Sequence, residues 1–97
     1  FYGSLGIELI EEQHGKGPIH YSGQVGDGIL EIYPLSDDTL VADETTRLGF
    51  SVEGMDQVVH ELRACDTPIV SEPKATQWGL RSVVRDPDGR SVELYGR

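Results

Sequence analysis

Residues 85–95 read RDPDGRSVELY and residues 25–33 read VGDGILEIY. Each stretch is a turn rich in Asp and Gly, followed by a strand of the form aliphatic-Glu-aliphatic-Tyr. An Asp-Gly step between two alternating segments marks a hairpin, because glycine accepts the positive φ that a tight turn needs. Sliding the first half of the chain along the second by 62 positions sets Gly17 on Gly79, Leu30 on Val92, Glu31 on Glu93, Ile32 on Leu94 and Tyr33 on Tyr95. Turn and strand agree together, which argues for an internal repeat. The same shift sets His20 on Ser82.

Working outward, the second half begins with Arg47–Glu53, where Leu48, Phe50 and Val52 alternate with Arg47, Gly49 and Ser51. A helix follows over Met55–Cys65. Its apolar positions Met55, Val58, Val59, Leu62 and Cys65 keep helical spacing, and Pro68 stops continuation. A short strand at Ile69–Ser71, a loop, a strand at Gly79–Arg85 and the final strand complete this half. The first half shows strands at Ile7–Glu12, Ile19–Val25 and Ile29–Tyr33, the last stopped by Pro34. Residues 35–46 hold four acidic side chains and no basic one, and read as an exposed linker. The first half thus lacks the opening strand and most of the helix that the second half carries. Since the chain begins FYGSLG without an initiator Met, it reads as part of something longer.

Alternation then places the glutamates. Leu30 and Ile32 share one strand face, as do Val92 and Leu94, and a helix covering its own sheet takes the aliphatic face. Glu31 and Glu93 lie on the opposite face, each with a tyrosine two residues along. If the sheets curl toward each other, that face becomes a cleft with two carboxylates and aromatic walls, a composition that suits a small-molecule site.

Composition narrows the function. Ninety-seven residues make one domain, and the formal net charge is −9 with no Lys/Arg cluster, which argues against a nucleic-acid partner. No apolar run approaches the roughly 20 residues that span a bilayer, and no signal-peptide pattern appears. The single cysteine, Cys65, excludes an intrachain disulfide and a thiolate zinc cluster. It reads as a small buried hydrophobe, and one cysteine fits a reducing compartment such as the cytoplasm. No phosphate-binding Gly-rich loop or nucleophile elbow is present.

The segments FYGSLGIELIEE, GILEIYP, RLGFSVEGMDQVVHEL and WGLRSVVRDPDGRSVELYG, in that order, resemble the vicinal oxygen chelate superfamily of glyoxalases, bleomycin-resistance proteins and extradiol dioxygenases. The resemblance implies an α+β fold of paired βαβββ modules forming an open curved barrel around a cleft. Residues 1–34 would be the remnant of module one, 35–46 the linker and 47–97 module two. It also implies a small-molecule ligand and a homodimer.

In the metal-dependent members, ligands come from the first and last strands of each module. Glu31 and Glu93 match the last-strand positions, and Glu93 would be the catalytic base. Arg47 falls where a histidine is usual; a guanidinium has only donors and cannot ligate a cation. The set implies either no metal or a weakly held Mg²⁺ or Mn²⁺. Arg47 would instead pair with Glu31 or Glu93, or grip an anionic part of a ligand.

Tyr33, Tyr95 and Trp78 are candidates for lining the cleft, with packing as the alternative for each. His20 is the best placed of three histidines for acid–base work, with an ordinary strand histidine as the alternative. His14 and His60 receive no role. Three functions follow: a binding protein without a complete metal site, a metal-dependent lyase, isomerase or dioxygenase of the glyoxalase type, or a subunit whose open sheet edge is covered by another chain.

Overall fold

The computed structural model describes residues 1–38, 41–43 and 45–96. The proposed linker 35–46 takes in residues 39, 40 and 44, and module two takes in residue 97, all outside the described residues. After a short 3₁₀ turn at Tyr2–Leu5 come β1 (Ile10–Glu12), β2 (His20–Val25) and β3 (Gly28–Ile32), an antiparallel sheet in the order β1-β2-β3. The second half gives β4 (Leu48–Val52), α1 (Met55–Ala64), β5 (Ile69–Thr76), β6 (Gly79–Arg85) and β7 (Ser91–Gly96). These strands form a four-stranded sheet, β4-β7-β6-β5, in which β4 and β7 are parallel. Parallel neighbours need a long crossover, and α1 begins it. The architecture is α+β, one full βαβββ module beside the last three strands of another.

The core lies between α1 and its sheet. Met55, Val58, Val59 and Leu62 meet Val52, Val84, Val92 and Leu94, and all eight are buried. Alternation on β7 therefore runs as its sequence dictates, with Val92 and Leu94 inward and Glu93 on the other face. Each such aliphatic group contributes about 1.5–3 kcal/mol on leaving water.

The expected burial of Cys65 is not realised: the residue is exposed. The helix ends at Ala64, and Asp66 takes a left-handed φ of 60°. The Asp66 N–H donates to the Arg63 carbonyl and the Thr67 N–H to the Leu62 carbonyl, closing a Schellman-type cap. The cap turns the chain away just where Cys65 would extend the buried stripe.

Two strands differ from expectation. The short strand at Ile69–Ser71 runs on to Thr76 through Pro73, making a hairpin with β6 where a loop was expected. Proline is tolerated because β5 is an edge strand and its register shifts between Ser71 and Lys74. The first strand keeps only Ile10–Glu12. Upstream, the chain at Ile7–Leu9 crosses over Gly23, where an added Cβ would lie 2.7 Å from the Glu8 carbonyl oxygen and 3.1 Å from Ile7 Cγ2. Gly23→Ala is therefore expected to cost about 1–3 kcal/mol, read as a lower urea midpoint with unchanged slope. An unchanged midpoint would mean that this crossing is loose.

The repeat is visible in the ladders with one adjustment. Glu31 pairs with Ser22, and Glu93 pairs with Val83. The shift is 62 between β3 and β7 but 61 between β2 and β6, because the Asp86–Gly89 turn is one residue longer. His20 therefore corresponds to Arg81, not to Ser82.

The turn also ties the two halves together. The Asp86 carboxylate accepts hydrogen bonds from the N–H groups of Asp88 (3.0 Å) and Arg90 (2.8 Å), from Arg90 Nη1 (3.0 Å) and from the Tyr2 hydroxyl (2.7 Å). Its side chain is fully buried. Burial works against its charge, yet the bonds from Tyr2 and Arg90 prevail and hold it below the usual carboxylate range. For Tyr2, burial first and then the bond to Asp86 push the phenol up.

Candidate functional site

Each glutamate gathers its own charged company. Glu93 stands on β7 opposite Gly49 of β4 and Val83 of β6. Arg47, just ahead of β4, places Nη2 2.9 Å from Glu93 Oε1, and Arg81 of β6 reaches the same oxygen at 2.9 Å. The Tyr95 hydroxyl donates to the other carboxylate oxygen. Two guanidiniums share one carboxylate, so the cluster carries an excess positive charge. The Tyr95 hydroxyl first, then Arg81 and Arg47, hold the Glu93 carboxyl below its ordinary value. A carboxylate so satisfied is a weak base at neutral pH.

The same geometry tests the metal expectation at this position. Both Glu93 oxygens already accept donors, and Arg47 brings a cation with no lone pair. These residues do not fit a divalent ion.

Glu31, on β3, lies on the same sheet face as His20 and Tyr33. His20 is 2% exposed and stacks on the Tyr33 ring at 4.1 Å with an 8° interplanar angle. Its Nε2 is 3.8 Å from Glu31 Oε2 and 3.4 Å from Glu12 Oε2. A hydrogen bond to Glu31 raises the Tyr33 phenol above its usual value. Tyr95 beside Glu93 repeats the placement of Tyr33 beside Glu31, and Arg81 takes the place of His20.

Three hollows bear on the site. One of about 580 Å³ runs along the Glu31 face of the three-stranded sheet, lined by Glu8, Ile10, Glu12, Ser22, Gln24 and Ile29 among others. A second, about 190 Å³, lies between the sheets with Glu31, Tyr33, Leu48 and Arg90 on its walls. A third, about 250 Å³, takes Ile7, Val25, Phe50 and Ser51. The hollow that holds Glu31 is not lined by Glu93, so the structure brings Arg47, Arg81, Tyr95 and Glu93 together in one group and His20, Tyr33 and Glu31 in another. Trp78 stands at the turn between β5 and β6, 77% exposed.

The sequence reading passed over Arg81, Glu12 and His14. Arg81 needed the corrected register to be seen as the counterpart of His20. Glu12 and His14 carried a usable signal: they are two residues apart at the end of one hairpin strand, facing a histidine at the start of the next.

The family model of the glyoxalase/bleomycin resistance protein/dioxygenase superfamily matches residues 1–94. The chain belongs to that superfamily. No curated protein sequence matches it. Among solved structures, a putative glyoxalase family protein from Bacillus anthracis is 22% identical, with 100% of this chain and 79% of that one covered at a TM-score of 0.70. TnmS3, an antibiotic binding protein from Streptomyces sp. CB03234, is 19% identical over 97% of this chain and 78% of its own, also with a TM-score of 0.70. A hypothetical protein from S. aureus is 15% identical, covering 99% and 81%, with a TM-score of 0.73. At these identities the likeness shows the fold. No helix among the described residues is long and apolar enough to cross a membrane.

Proposed function

We propose that this chain binds a small polar molecule bearing an anionic group, at the face where Arg47 and Arg81 converge on Glu93, without a metal at the superfamily's ligand positions. The observation that carries this is the shared carboxylate oxygen, 2.9 Å from each guanidinium. Glu93 orients both forks while neutralising only one of them. Arg47 is about half exposed, so its remaining N–H donors are free to meet a carboxylate or similar oxyanion. Tyr95 adds an aromatic wall. Glu93 serves here as an anchor for cations, in place of the base expected for a lyase or dioxygenase. The likeness to an antibiotic binding protein supports a binding role.

The test is calorimetric titration with a panel of small aromatic carboxylates and antibiotics. Arg47→Ala is expected to weaken the best ligand roughly tenfold, the lower end for a charge-assisted bond because the arginine is half exposed. Equal affinity in wild type and Arg47→Ala would overturn the assignment. A homodimer in the cytoplasm belongs to the same reading. Among the described residues no strand pairs with the outer edge of β3, and an uncovered edge favours association. Sedimentation at a monomer mass would count against that part.

A further inference from the structure

His20 is buried, yet its Nε2 is the one buried side-chain polar atom among the described residues without a hydrogen-bond partner. The other ring nitrogen explains its state. Nδ1 lies 3.2 Å from the Pro18 carbonyl oxygen, which can only accept, so Nδ1 carries the proton. In the neutral ring, Nε2 then presents a lone pair. It faces Glu12 Oε2 at 3.4 Å and Glu31 Oε2 at 3.8 Å, without the geometry of a hydrogen bond to either. A buried lone pair turned toward carboxylate oxygens is an electron-rich arrangement that lacks its electrophile.

His14 completes the group. Its Nε2 is 3.3 Å from the same Glu12 oxygen, and its ring centroid lies 5.3 Å from that of His20. The three donor atoms all fall within 4.8 Å of one another. Two ligands each about 2.1 Å from an ion at a tetrahedral angle stand roughly 3.4 Å apart, which the two Glu12 distances already match. The remaining separation, between the two imidazoles, closes by a small swing of His14. The His14 side chain is exposed, which leaves it room to turn.

We propose that Glu12, His14 and His20 form a site for a divalent transition metal such as Zn²⁺. Two imidazoles and a carboxylate suit such an ion, and the Pro18 carbonyl fixes the His20 tautomer from behind as an outer partner does in metal sites. The ligands come from β1, the loop after it and β2. None comes from β4 or β7, so the site is separate from the Arg47–Arg81–Glu93 cluster and independent of the role given to it. Glu12 also lines the 580 Å³ hollow, so the group borders open space on that side.

Chelator-treated protein titrated with Co²⁺ provides the test. The expected result is saturable binding of one ion per chain, with the intense visible absorption of a low-coordinate site, reversed by Zn²⁺. His14→Ala is exposed and should fold normally, and it is expected to lower Co²⁺ affinity at least about tenfold, as is Glu12→Gln. Both variants should also lose the rise in Tm that Zn²⁺ gives the wild type. Arg47→Ala should leave Co²⁺ affinity unchanged, which separates failure here from failure of the anion site. Absence of saturable Co²⁺ binding, or His14→Ala and Glu12→Gln binding as tightly as wild type, would overturn the proposal.

Discussion

Asp86→Ala is expected to destabilise the protein by on the order of 3–4 kcal/mol. The carboxylate is fully buried and takes four donors, so its removal leaves two backbone N–H groups and the Tyr2 hydroxyl without this acceptor, and the partly exposed Arg90 guanidinium with only its bond to Asp88. Breaking one side of such a buried pair typically costs about 3–5 kcal/mol. In a domain of this size each kcal/mol is worth roughly 4–8 °C, so Tm should fall by more than about 10 °C in a thermal melt. Tyr2→Phe removes one donor and should cost about 1 kcal/mol. A fall of less than about 4 °C for Asp86→Ala would mean that the turn holds itself without the carboxylate.

The same residue sets a pH dependence. The folded Asp86 carboxyl titrates below its unfolded value of about 3.9, so its contribution is present above that pH and lost as pH falls through the folded value. Stability should therefore drop on acidification below about pH 4, and Asp86→Asn should flatten that limb. It should not abolish it. Glu93 is also held low, and hydrogen bonds from Thr46 and Thr45 bring Asp43 down to about 2.

Leu94→Ala should cost about 2–5 kcal/mol. Leu94 is wholly buried, on the face of β7 that α1 covers, among Val84, Val92, Leu62 and Met55. Truncation there loses transfer free energy and leaves a cavity that a helix-on-sheet layer closes only in part. Chemical denaturation should show a lower midpoint, while the neighbouring Glu93→Gln, on the other face, should shift it much less. Equal shifts would contradict the facing of β7.

Much of the fold was legible because it rests on periodicity. Strand alternation placed Val92 and Leu94 against the helix, and the i, i+3, i+4 stripe placed Met55, Val58, Val59 and Leu62 against them. Those are local consequences of backbone geometry. Arg47 was also readable as an intruder at a ligand position, because a guanidinium has no lone pair wherever it lies. The sequence left Arg47 to pair with Glu31, to pair with Glu93 or to grip an anionic part of a ligand; in the structure it reaches Glu93 at 2.9 Å.

What needed three dimensions was every feature in which residues far apart in the chain share one atom. Asp86 read only as a turn residue; that it also takes the hydroxyl of Tyr2, 84 positions away, depends on how the N-terminal turn packs. Arg81 gained its meaning only when a one-residue difference in hairpin length put it opposite Tyr95. His20, Glu12 and His14 became a group because β1 and β2 pair in a particular register, leaving one buried nitrogen with no partner. Side-chain period along a strand is a property of the chain itself, whereas register, turn length and burial are settled by what the neighbouring strands require. The sequence by itself therefore determined the modules and the faces of their strands; only the tertiary structure decided which charges meet.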